Sequence, residues 1–447
     1  MIRTTHAQST PRAARRGLLL ALSAALALAA NTGPAAAGET TRVSVGDGGT
    51  EASTGAQGSS AIDRAGRTVS FSSTAAGLVD GDANGVSDVF VRDRKLGVTQ
   101  RVSVDSTGAE ANDDSSTPAL SANGQLVAFE SDATNLVSGD LNGVRDIFVR
   151  DRKKRITTRV SVDSAGAEAN GASSTAILGS NGRYVAFSSS ATNLVGGDGN
   201  GLSDVFVHDL KTGATTRVSV DASGAEGNGD SVVASNGALS ATGSLIPFQS
   251  KASNLVAGDT NGKTDAFVHD TKTGKTFLVS VDSDGNQANA PSGAVTLSAN
   301  GRLVAFTSTA SNLVAGDTNG LPDIFVHDLK TGVTTRVSVD SNGVEANGES
   351  LSASFSANGR YVAFVSVATN LVAGDTNHTP DVFVHDLKTG ATTRVSVDGT
   401  GAQSNGPSLF SALSGNGRFV ALRSGATNLV TDDANGHDDI FVHDLKD

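Results

Sequence analysis

The sequence predicts an all-β fold: a seven-bladed β-propeller of four-stranded antiparallel blades, with the ring closed by the N-terminal strand completing the last blade. The first observation is a fixed repeat, since Arg-Val-Ser-Val or Leu-Val-Ser-Val recurs seven times at intervals of 58 to 61 residues. The second is that every repeat contains four strand-like runs, and the third is that the repeat is offset at both ends of the chain. The copies of the motif begin at Arg42, Arg101, Arg159, Arg217, Leu278, Arg336 and Arg394.

The copy that ends at Val397 shows the four strands of one blade, which we name A to D in chain order. Strand A is "LSASFSA", a turn follows at Asn358-Gly359, and strand B is "RYVAFVS". A long loop, "VATNLVAGDTNHTP", leads to strand C, "DVFVHDL", and the hairpin "KTG" leads to strand D, "ATTRVSV". Short strands of β-branched and aromatic residues with turn residues between them are typical of an antiparallel meander.

The two ends of the chain predict how the ring closes. The first strand-like run, Thr41–Val45, is a D strand, whereas the chain ends directly after a C strand. The last blade therefore lacks its own D strand, and the N-terminal strand can supply it, which leaves no open sheet edge. Residues 38–447 are predicted to form one domain, with approximate blades at 47–104, 105–162, 163–220, 221–281, 282–339, 340–397, and 398–447 together with 38–46.

The repeat resembles that of a known family. "LSANGRLVAFTS" followed by "DIFVHDLKTGVTTRVSV" is similar to the repeats of TolB-like, WD-like β-propellers of the extracellular bacterial type. The resemblance covers essentially all of the chain after the leader and implies the fold, but it implies no single activity because propellers host many functions. The chain has no room for the additional N-terminal α/β domain of TolB, and its B–C loops are longer than is usual in the family. The role of TolB is therefore not implied.

Residues 1–37 are predicted to be a signal peptide. A basic stretch ends at Arg15-Arg16, an apolar run of 14 residues follows, and an Ala-x-Ala-like site lies at residues 35–37. We expect a secreted, extracellular protein, exported by the twin-arginine or the general route. Because the chain has no cysteine, it can be neither a lipoprotein nor disulfide-bonded. No other long apolar run indicates membrane insertion, and we expect a monomer.

The charge of the chain bears on its partners. The leader carries four arginines and no acid, so the mature chain has a formal net charge of −16. Nucleic acid is therefore not an expected partner. The B–C and D–A loops are expected on one face, the top face, and their acids make this face acidic.

A loop motif, Asp-x-Asn-x-x-x-Asp, recurs between strands B and C. Calcium prefers six to eight oxygen ligands, and this spacing places carboxylate and amide oxygens on one side of a tight turn. The alternative is that the acids and amides only shape the turn by bonding their own backbone. The candidate calcium ligands are Asp82, Asn84, Asp88, Asp140, Asn142, Asp146, Asp198, Asn200, Asp204, Asp259, Asn261, Asp265, Asp317, Asn319, Asp323, Asp375, Asn377, Asp381, Asp433, Asn435 and Asp439. The D–A loops add Glu51, Glu110, Glu168, Glu226, Gln287, Glu345 and Gln403 to this face.

No catalytic residue is predicted, since no nucleophile, phosphate-binding or zinc motif is present. Five histidines recur at the end of strand C, but arginine replaces them at Arg92 and Arg150, so we interpret them as hydrogen-bonding residues at a strand end. The recurrent phenylalanines of strands B and C are expected to form the core.

A ligand site is expected where the repeats differ, because a symmetric ring has no unique pocket. The end of strand B differs most, at Glu130, Asp132, Gln249, Lys251 and Arg423. We expect a binding module that recognises a protein or a glycan at the acidic loop face, with calcium as a stabilising ion. The alternatives are a polysaccharide-active hydrolase or lyase that uses carboxylates at the mouth of the channel, and a purely structural scaffold.

Overall fold

The computed structural model describes residues 38–446 except Asn236, so the predicted signal peptide lies outside the described residues. The strands fall into seven four-stranded antiparallel sheets, which confirms the seven-bladed propeller. In chain order the strands are β1 (Thr40–Arg42), β2 (Ala56–Ile62), β3 (Thr68–Ser73), β4 (Asp88–Asp93), β5 (Val98–Arg101), β6 (Ser115–Leu120), β7 (Leu126–Ser131), β8 (Asp146–Asp151), β9 (Ile156–Arg159), β10 (Ser173–Leu178), β11 (Tyr184–Ser189), β12 (Asp204–Asp209), β13 (Thr215–Arg217), β14 (Ser231–Val232), β15 (Leu245–Ser250), β16 (Asp265–Asp270), β17 (Lys275–Leu278), β18 (Ser292–Leu297), β19 (Leu303–Ser308), β20 (Asp323–Asp328), β21 (Thr334–Arg336), β22 (Ser350–Phe355), β23 (Tyr361–Ser366), β24 (Asp381–Asp386), β25 (Thr392–Arg394), β26 (Ser408–Leu413), β27 (Phe419–Ser424) and β28 (Asp439–Asp444). A short 3-10 turn (Asp47–Gly49) follows β1.

The N-terminal strand completes the last blade, as the sequence predicts. Six sheets contain four consecutive strands, whereas the seventh has the order β1-β28-β27-β26. Thr40 pairs with His443, and Arg42 pairs with Phe441. The open edge of the last C strand is therefore covered by the chain's own beginning.

Strands B and C form the core because neighbouring blades cover both of their faces. Phe71 and Phe90 lie opposite each other on β3 and β4, with ring centroids 5.8 Å apart, and both are fully buried. Val127 and Phe129 of the second blade pack in one cluster with Val89 and Val91 of the first. The predicted phenylalanine core is thus confirmed, and it joins blade to blade.

The A strands surround a central channel. A cavity of about 200 Å³ lies in its lower part and is lined by the ends of the A strands of six blades and, in the fourth blade, by residues that follow β14. Six A strands contain a β-bulge, and its residue has a left-handed backbone with φ between 47° and 63°. The bulge residues are Gly58, Thr117, Thr175, Ala294, Ser352 and Phe410. In the fourth blade the A strand shortens to β14, and the insertion follows it.

Histidine or arginine at the end of strand C ties neighbouring blades together. His208 Nδ1 lies 2.9 Å from Thr215 Oγ1, and this hydroxyl donates to the Val162 carbonyl of the preceding blade at 2.5 Å. Because the hydroxyl hydrogen is used on the carbonyl, Nδ1 must be the donor. Arg150 Nη1 donates to Thr157 Oγ1 at 3.0 Å in the same way. The recurrent histidines are therefore strand-end donors, which confirms their interpretation.

No helix within residues 38–446 has both the length and the apolar character needed to cross a bilayer.

Candidate functional site

Acidic clusters form on the top face where each B–C loop meets the D–A loop that follows the same blade. In the second blade, Asp140 lies in the B–C loop, Asp146 begins β8, and Glu168 lies in the loop after β9. Arg159 ends β9, and its Nη1 is 3.3 Å from an oxygen of Asp140 and 3.3 Å from an oxygen of Asp146. The same nitrogen donates to Glu168 Oε1 at 2.6 Å. A guanidinium of the same blade thus lies among the three carboxylates.

The amide of the loop motif shapes the turn. Asn142 Oδ1 accepts a 3.0 Å hydrogen bond from the backbone N–H of Val144. Its Nδ2 donates to Asp146 Oδ2 at 2.9 Å and to the Ala169 carbonyl at 3.0 Å. Glu168 Oε1 also accepts from the backbone N–H of Asn142, at 3.1 Å. These bonds are what the turn hypothesis expects of Asp and Asn residues in such a loop.

The cluster carries more negative than positive charge. The pKa of Asp140 is raised to about 6, because its burial and the negative charge of Asp146 outweigh the lowering effect of Arg159. The pKa of Glu168 is lowered, because backbone N–H groups and Arg159 outweigh the effect of its burial. Three carboxylates and one guanidinium leave an excess that a proton or a second cation can neutralise.

Acidic groups in five blades lie close enough together to hold a metal ion, since one oxygen of each lies within 4.8 Å of the others. Within the described chain the five clusters are Glu51, Asp433 and Asp439; Asp82, Asp88 and Glu110; Asp140, Asp146 and Glu168; Asp198, Asp204 and Glu226; and Asp317, Asp323 and Glu345. The loop acids and amides of all seven blades are thus placed on the top face, and in five blades they meet a glutamate.

The fourth and sixth blades replace the glutamate with glutamine. Gln403 Nε2 donates to Asp375 Oδ1 at 2.8 Å, and Arg394 Nη1 lies 3.6 Å from the same oxygen. Gln287 makes the equivalent bond in the fourth blade, where Leu278 stands in place of the arginine. The glutamine amide therefore supplies donors that the guanidinium supplies elsewhere.

The arginines of the Arg-Val-Ser-Val motif are functional residues of these clusters that the sequence analysis did not assign. Two sequence signals point to them. Arginine is present in six of the seven copies, and its one replacement, Leu278, coincides with glutamine in place of glutamate at Gln287. Paired changes of this kind indicate a direct contact, and the structure shows it.

The residues where strand B differs between blades line the inner rim, the top mouth of the channel. Glu130 Oε2 accepts from the backbone N–H of the bulge residue Thr175 in the next blade, at 2.7 Å. Its Oε1 accepts from Ser116 Oγ at 3.0 Å. Asp132 forms an ion pair of 2.6 Å with Arg145. Both acids are therefore engaged within or next to the second blade.

The other three rim residues lie in different blades. Gln249 Oε1 accepts from the N–H of the bulge residue Ala294 at 2.7 Å. Arg423 has its guanidinium carbon 4.7 Å from the ring centre of Phe410 and its Nε 3.3 Å from Asp438 Oδ2. Lys251 is exposed, and its Nζ lies 3.6 Å from Asp230 Oδ2 of the same blade. These residues occupy one rim, but their polar contacts are made with their own or the next blade.

A groove of about 550 Å³ opens on the inner rim between the fourth and sixth blades. Gln249 belongs to the fourth blade and Leu351 to the sixth, and the fifth blade contributes Pro291, Ala294 and Pro322. The residues that line the groove include no acid and no base. The groove is therefore uncharged, in contrast to the part of the rim formed by Glu130, Asp132 and Arg145.

Comparison with known proteins shows a propeller fold and no particular family. No protein-family model and no curated protein matches the chain. Among solved structures, TolB from Acinetobacter baumannii is 15% identical with a TM-score of 0.39, over 69% of this chain and 59% of TolB. The chain thus spans less than two thirds of TolB.

Two further structures align over most of both chains. An oligogalacturonate lyase in complex with manganese is 12% identical with a TM-score of 0.53, over 92% of this chain and 99% of the lyase. The β-propeller domain of the Trilobed protease from Pyrococcus furiosus, which has an open velcro topology, is 10% identical with a TM-score of 0.51, over 88% of this chain and 98% of the domain. At such identities the likeness concerns the fold alone, a β-propeller, and defines no activity.

Proposed function

We propose that this chain is a secreted binding module that recognises its partner at the inner rim of the top face. The observation that carries the proposal is the groove beside Gln249, whose volume of about 550 Å³ is typical of a ligand site. It lies where the blades differ most, on a closed ring whose core is fully buried. The predicted leader supports secretion.

The chemistry of the groove favours an uncharged, extended protein segment. Pro291, Pro322 and Leu351 offer apolar contacts, and Leu351 is 42% exposed. Gln249 and Thr264 offer a few polar groups. A glycan is the other partner to consider, but no aromatic ring lines the groove on which a sugar could stack. We therefore place the protein partner first.

The contacts of the carboxylates at the inner rim support a binding function more than the activity of a polysaccharide hydrolase or lyase. Glu130 accepts hydrogen bonds from Thr175 and Ser116, and Asp132 is paired with Arg145. A general acid or base needs a proton that it can exchange with a substrate. Carboxylates held by several donors and a guanidinium are poorly suited to this exchange. A purely structural scaffold does not require the groove.

Calcium belongs to the same proposal as a stabilising ion of the acidic clusters. The support is the set of three carboxylates that meet in five blades. Calcium bound only to the folded state would raise the free energy of unfolding by about 2.7 kcal/mol for each site at a hundredfold excess over Kd. Thermal unfolding in calcium, in magnesium and in EDTA tests this part of the proposal.

The binding proposal is tested by screening the purified protein in parallel against a random-peptide library and a glycan array. Leu351→Asp places a charge in the groove and should abolish binding of the peptides selected on the wild type. Val344→Asp is the matched control, because Val344 is 54% exposed and lies outside the groove. Peptides that bind Leu351→Asp as well as the wild type would contradict the groove, and hits on the glycan array alone would favour the glycan.

A further inference from the structure

We propose that the chain docks on an anionic lipid surface through the C–D hairpins of its first two blades, which we name the basic hairpins. They are residues 93–98, between β4 and β5, and residues 151–156, between β8 and β9. The contact is with the surface of a bilayer and involves no spanning segment. It goes beyond the proposed function, because it concerns another surface of the ring and another class of partner.

The first observation is an excess of cations on the basic hairpins. They read "DRKLGV" and "DRKKRI", with six cations and two acids. The equivalent hairpins of the next four blades read "DLKTGA", "DTKTGK", "DLKTGV" and "DLKTGA", with one or two cations and one acid each. Because the predicted mature chain has a formal charge of −16, the basic hairpins reverse its sign locally.

Most of these cations are free to meet an anionic group. Lys95, Lys153 and Arg155 are exposed, and they form no ion pair with the described residues. Lys154 is 70% exposed, and its Nζ lies 3.4 Å from Asp151 Oδ2. An exposed pair of this kind is weak in water and yields readily to another anion.

Three acids near the basic hairpins are already engaged. Asp93 forms an ion pair of 2.6 Å with Arg67. Asp151 Oδ1 accepts hydrogen bonds of 3.0 Å from two backbone N–H groups of its own hairpin. Asp47, in the loop beside β5, lies 3.9 Å from Arg92. The excess of positive charge at the hairpin tips therefore remains uncompensated.

The second observation is the backbone of Arg155. Its φ is 60°, in the left-handed region that disfavours residues with a Cβ. Glycine stands at this position in the other complete hairpins, at Gly97, Gly213, Gly274, Gly332 and Gly390. Strained residues of this kind are found mainly where the side chain serves a function. Here the side chain adds a cation to the tip of the hairpin.

The third observation is that aliphatic side chains are exposed beside these cations. Leu96 is 66% exposed, and Val98 and Ile156 are more than 40% exposed. Aliphatic side chains next to lysine and arginine are typical of segments that lie in the lipid headgroup region. An acidic polysaccharide offers no apolar phase for them, and neither hairpin has an aromatic ring on which a sugar could stack. The combination therefore favours a lipid surface.

The bases of the two hairpins are fixed, and they lie on neighbouring blades. Arg94 Nη1 donates to the Gly66 carbonyl at 2.6 Å, and Arg152 Nη1 makes the equivalent bond to Gly124 at 2.7 Å. Burial lowers the pKa of Arg152, and the charge of Asp93 in the first blade opposes this lowering, so Arg152 lies near the first hairpin. Two rigid tips can thus contact one surface together.

The acidic top face does not prevent this contact. In the second blade, Asp146 begins β8 and the hairpin follows Asp151 at its end, so about 17 Å separate the acidic cluster from the hairpin. This distance is about twice the Debye length of about 8 Å at physiological ionic strength. The repulsion between the clusters and the lipid is therefore screened, and the groove of the inner rim stays accessible to its partner.

The test is cosedimentation of the purified protein with vesicles. We expect binding to vesicles that contain phosphatidylglycerol, weakened by added salt, and no binding to vesicles of phosphatidylcholine alone. Lys154→Thr with Arg155→Gly copies Thr212 and Gly213 of the third blade and suits the left-handed backbone. A cation near an anionic surface contributes roughly fivefold to binding, so we expect this double variant to bind at least about tenfold more weakly.

A matched control removes two cations elsewhere. Lys272→Thr with Lys275→Ala changes the exposed hairpin of the fourth blade and gives the same net charge as the first double variant. It should bind as the wild type does. Equal weakening by both double variants would overturn the role of the basic hairpins, because binding would then follow the overall charge.

Leu96→Thr distinguishes a lipid surface from another anionic polymer. Threonine is the residue of the next four hairpins after the second, and this change removes apolar area without changing the charge. It should weaken vesicle binding by at least about threefold. Binding of alginate together with full vesicle binding by Leu96→Thr would overturn the lipid surface in favour of an acidic polysaccharide. A wild type that does not bind phosphatidylglycerol vesicles would overturn the proposal, while the peptide screen still decides on the groove.

Discussion

Gln287 Nε2 donates a 2.8 Å hydrogen bond to Asp259 Oδ1 in the blade where Leu278 replaces the arginine of the repeat. The same nitrogen lies 3.2 Å from Asp265 Oδ2. One neutral amide therefore serves both aspartates, as the guanidinium does in other blades. The fourth blade thus carries leucine in place of the arginine together with glutamine in place of the glutamate, whereas the sixth blade has the glutamine and keeps its arginine, Arg394.

The first prediction is that Gln287→Glu destabilises the protein unless arginine is restored. The single change puts three carboxylates together with no guanidinium, and we expect the free energy of unfolding to fall by about 2–4 kcal/mol. Leu278→Arg with Gln287→Glu rebuilds the arrangement of the other blades and should recover most of the loss. Urea denaturation at pH 7 measures the coupling of the two changes, and purely additive effects would contradict it.

The second prediction is the converse experiment in the second blade. Arg159→Leu leaves Asp140, Asp146 and Glu168 without their cation and should lower the free energy of unfolding by about 3–5 kcal/mol. Adding Glu168→Gln copies the fourth blade and should recover at least half of this loss. Arg302→Leu is the control: Arg302 is 51% exposed in its pair with Asp328, so its loss should amount to less than about 1 kcal/mol. Equal losses for the two arginines would show that the clusters do not need their guanidinium.

The fold could be predicted because the repeat length, the strand patterns and the turn residues all indicate the same architecture. Strand C reads "DIFVHD" or a close copy in every blade, and burial on both faces explains why such strands show no alternation of polar and apolar residues. The offset of the repeat predicted the closure, since a strand without a partner at one end matched a blade without a strand at the other. The acidic top face could also be predicted, because the acids recur in the long B–C loops and in the D–A loops of every repeat, which lie on one face.

The site could be predicted only in part. The acids of the loops were predicted from their spacing, whereas the contact of Arg159 with them was not, because Arg159 lies on a strand and Asp140 and Glu168 lie in loops. The bonds of Glu130 and Gln249 could not be predicted either. They depend on the left-handed bulges at Thr175 and Ala294, which are residue types that disfavour this conformation. Two such bulge residues, Ala294 and Ser352, line the groove.

The third prediction concerns acid. Burial lowers the pKa of His443 to about 4, against about 6.5 in an unfolded chain. The unfolded state therefore binds the proton more readily, so the stabilising contribution is complete above about pH 6.5 and is lost as the pH falls toward 4. His443→Gln keeps a donor for Thr40 Oγ1 but cannot titrate. We expect the loss of stability between pH 7 and pH 4.5 to be smaller by about 2 kcal/mol in this variant.

Chemical denaturation at both pH values measures this difference, in which the contributions of the buried aspartates cancel. His437→Gln is the control, because His437 is exposed and should leave the pH dependence as in the wild type. A wild-type pH dependence in His443→Gln would contradict the prediction, because it would mean that protonation of His443 does not destabilise the folded state.

The fourth prediction is that Thr175→Gly stabilises the protein. Thr175 holds a backbone φ of 52°, which costs a β-branched residue about 1–2 kcal/mol, and the first blade has Gly58 at the equivalent position. Glycine relieves this strain and leaves the backbone N–H free to donate to Glu130 as before. Its greater freedom in the unfolded chain offsets about 0.5–1 kcal/mol, so we expect a net gain of about 0.5–1 kcal/mol. The neighbouring Ser174→Gly lacks the strain and should instead destabilise by about 0.5–1 kcal/mol. Opposite signs for two adjacent glycine substitutions in urea denaturation would show that the bulge stores strain, whereas a loss in both would show that Thr175 is held there at no cost.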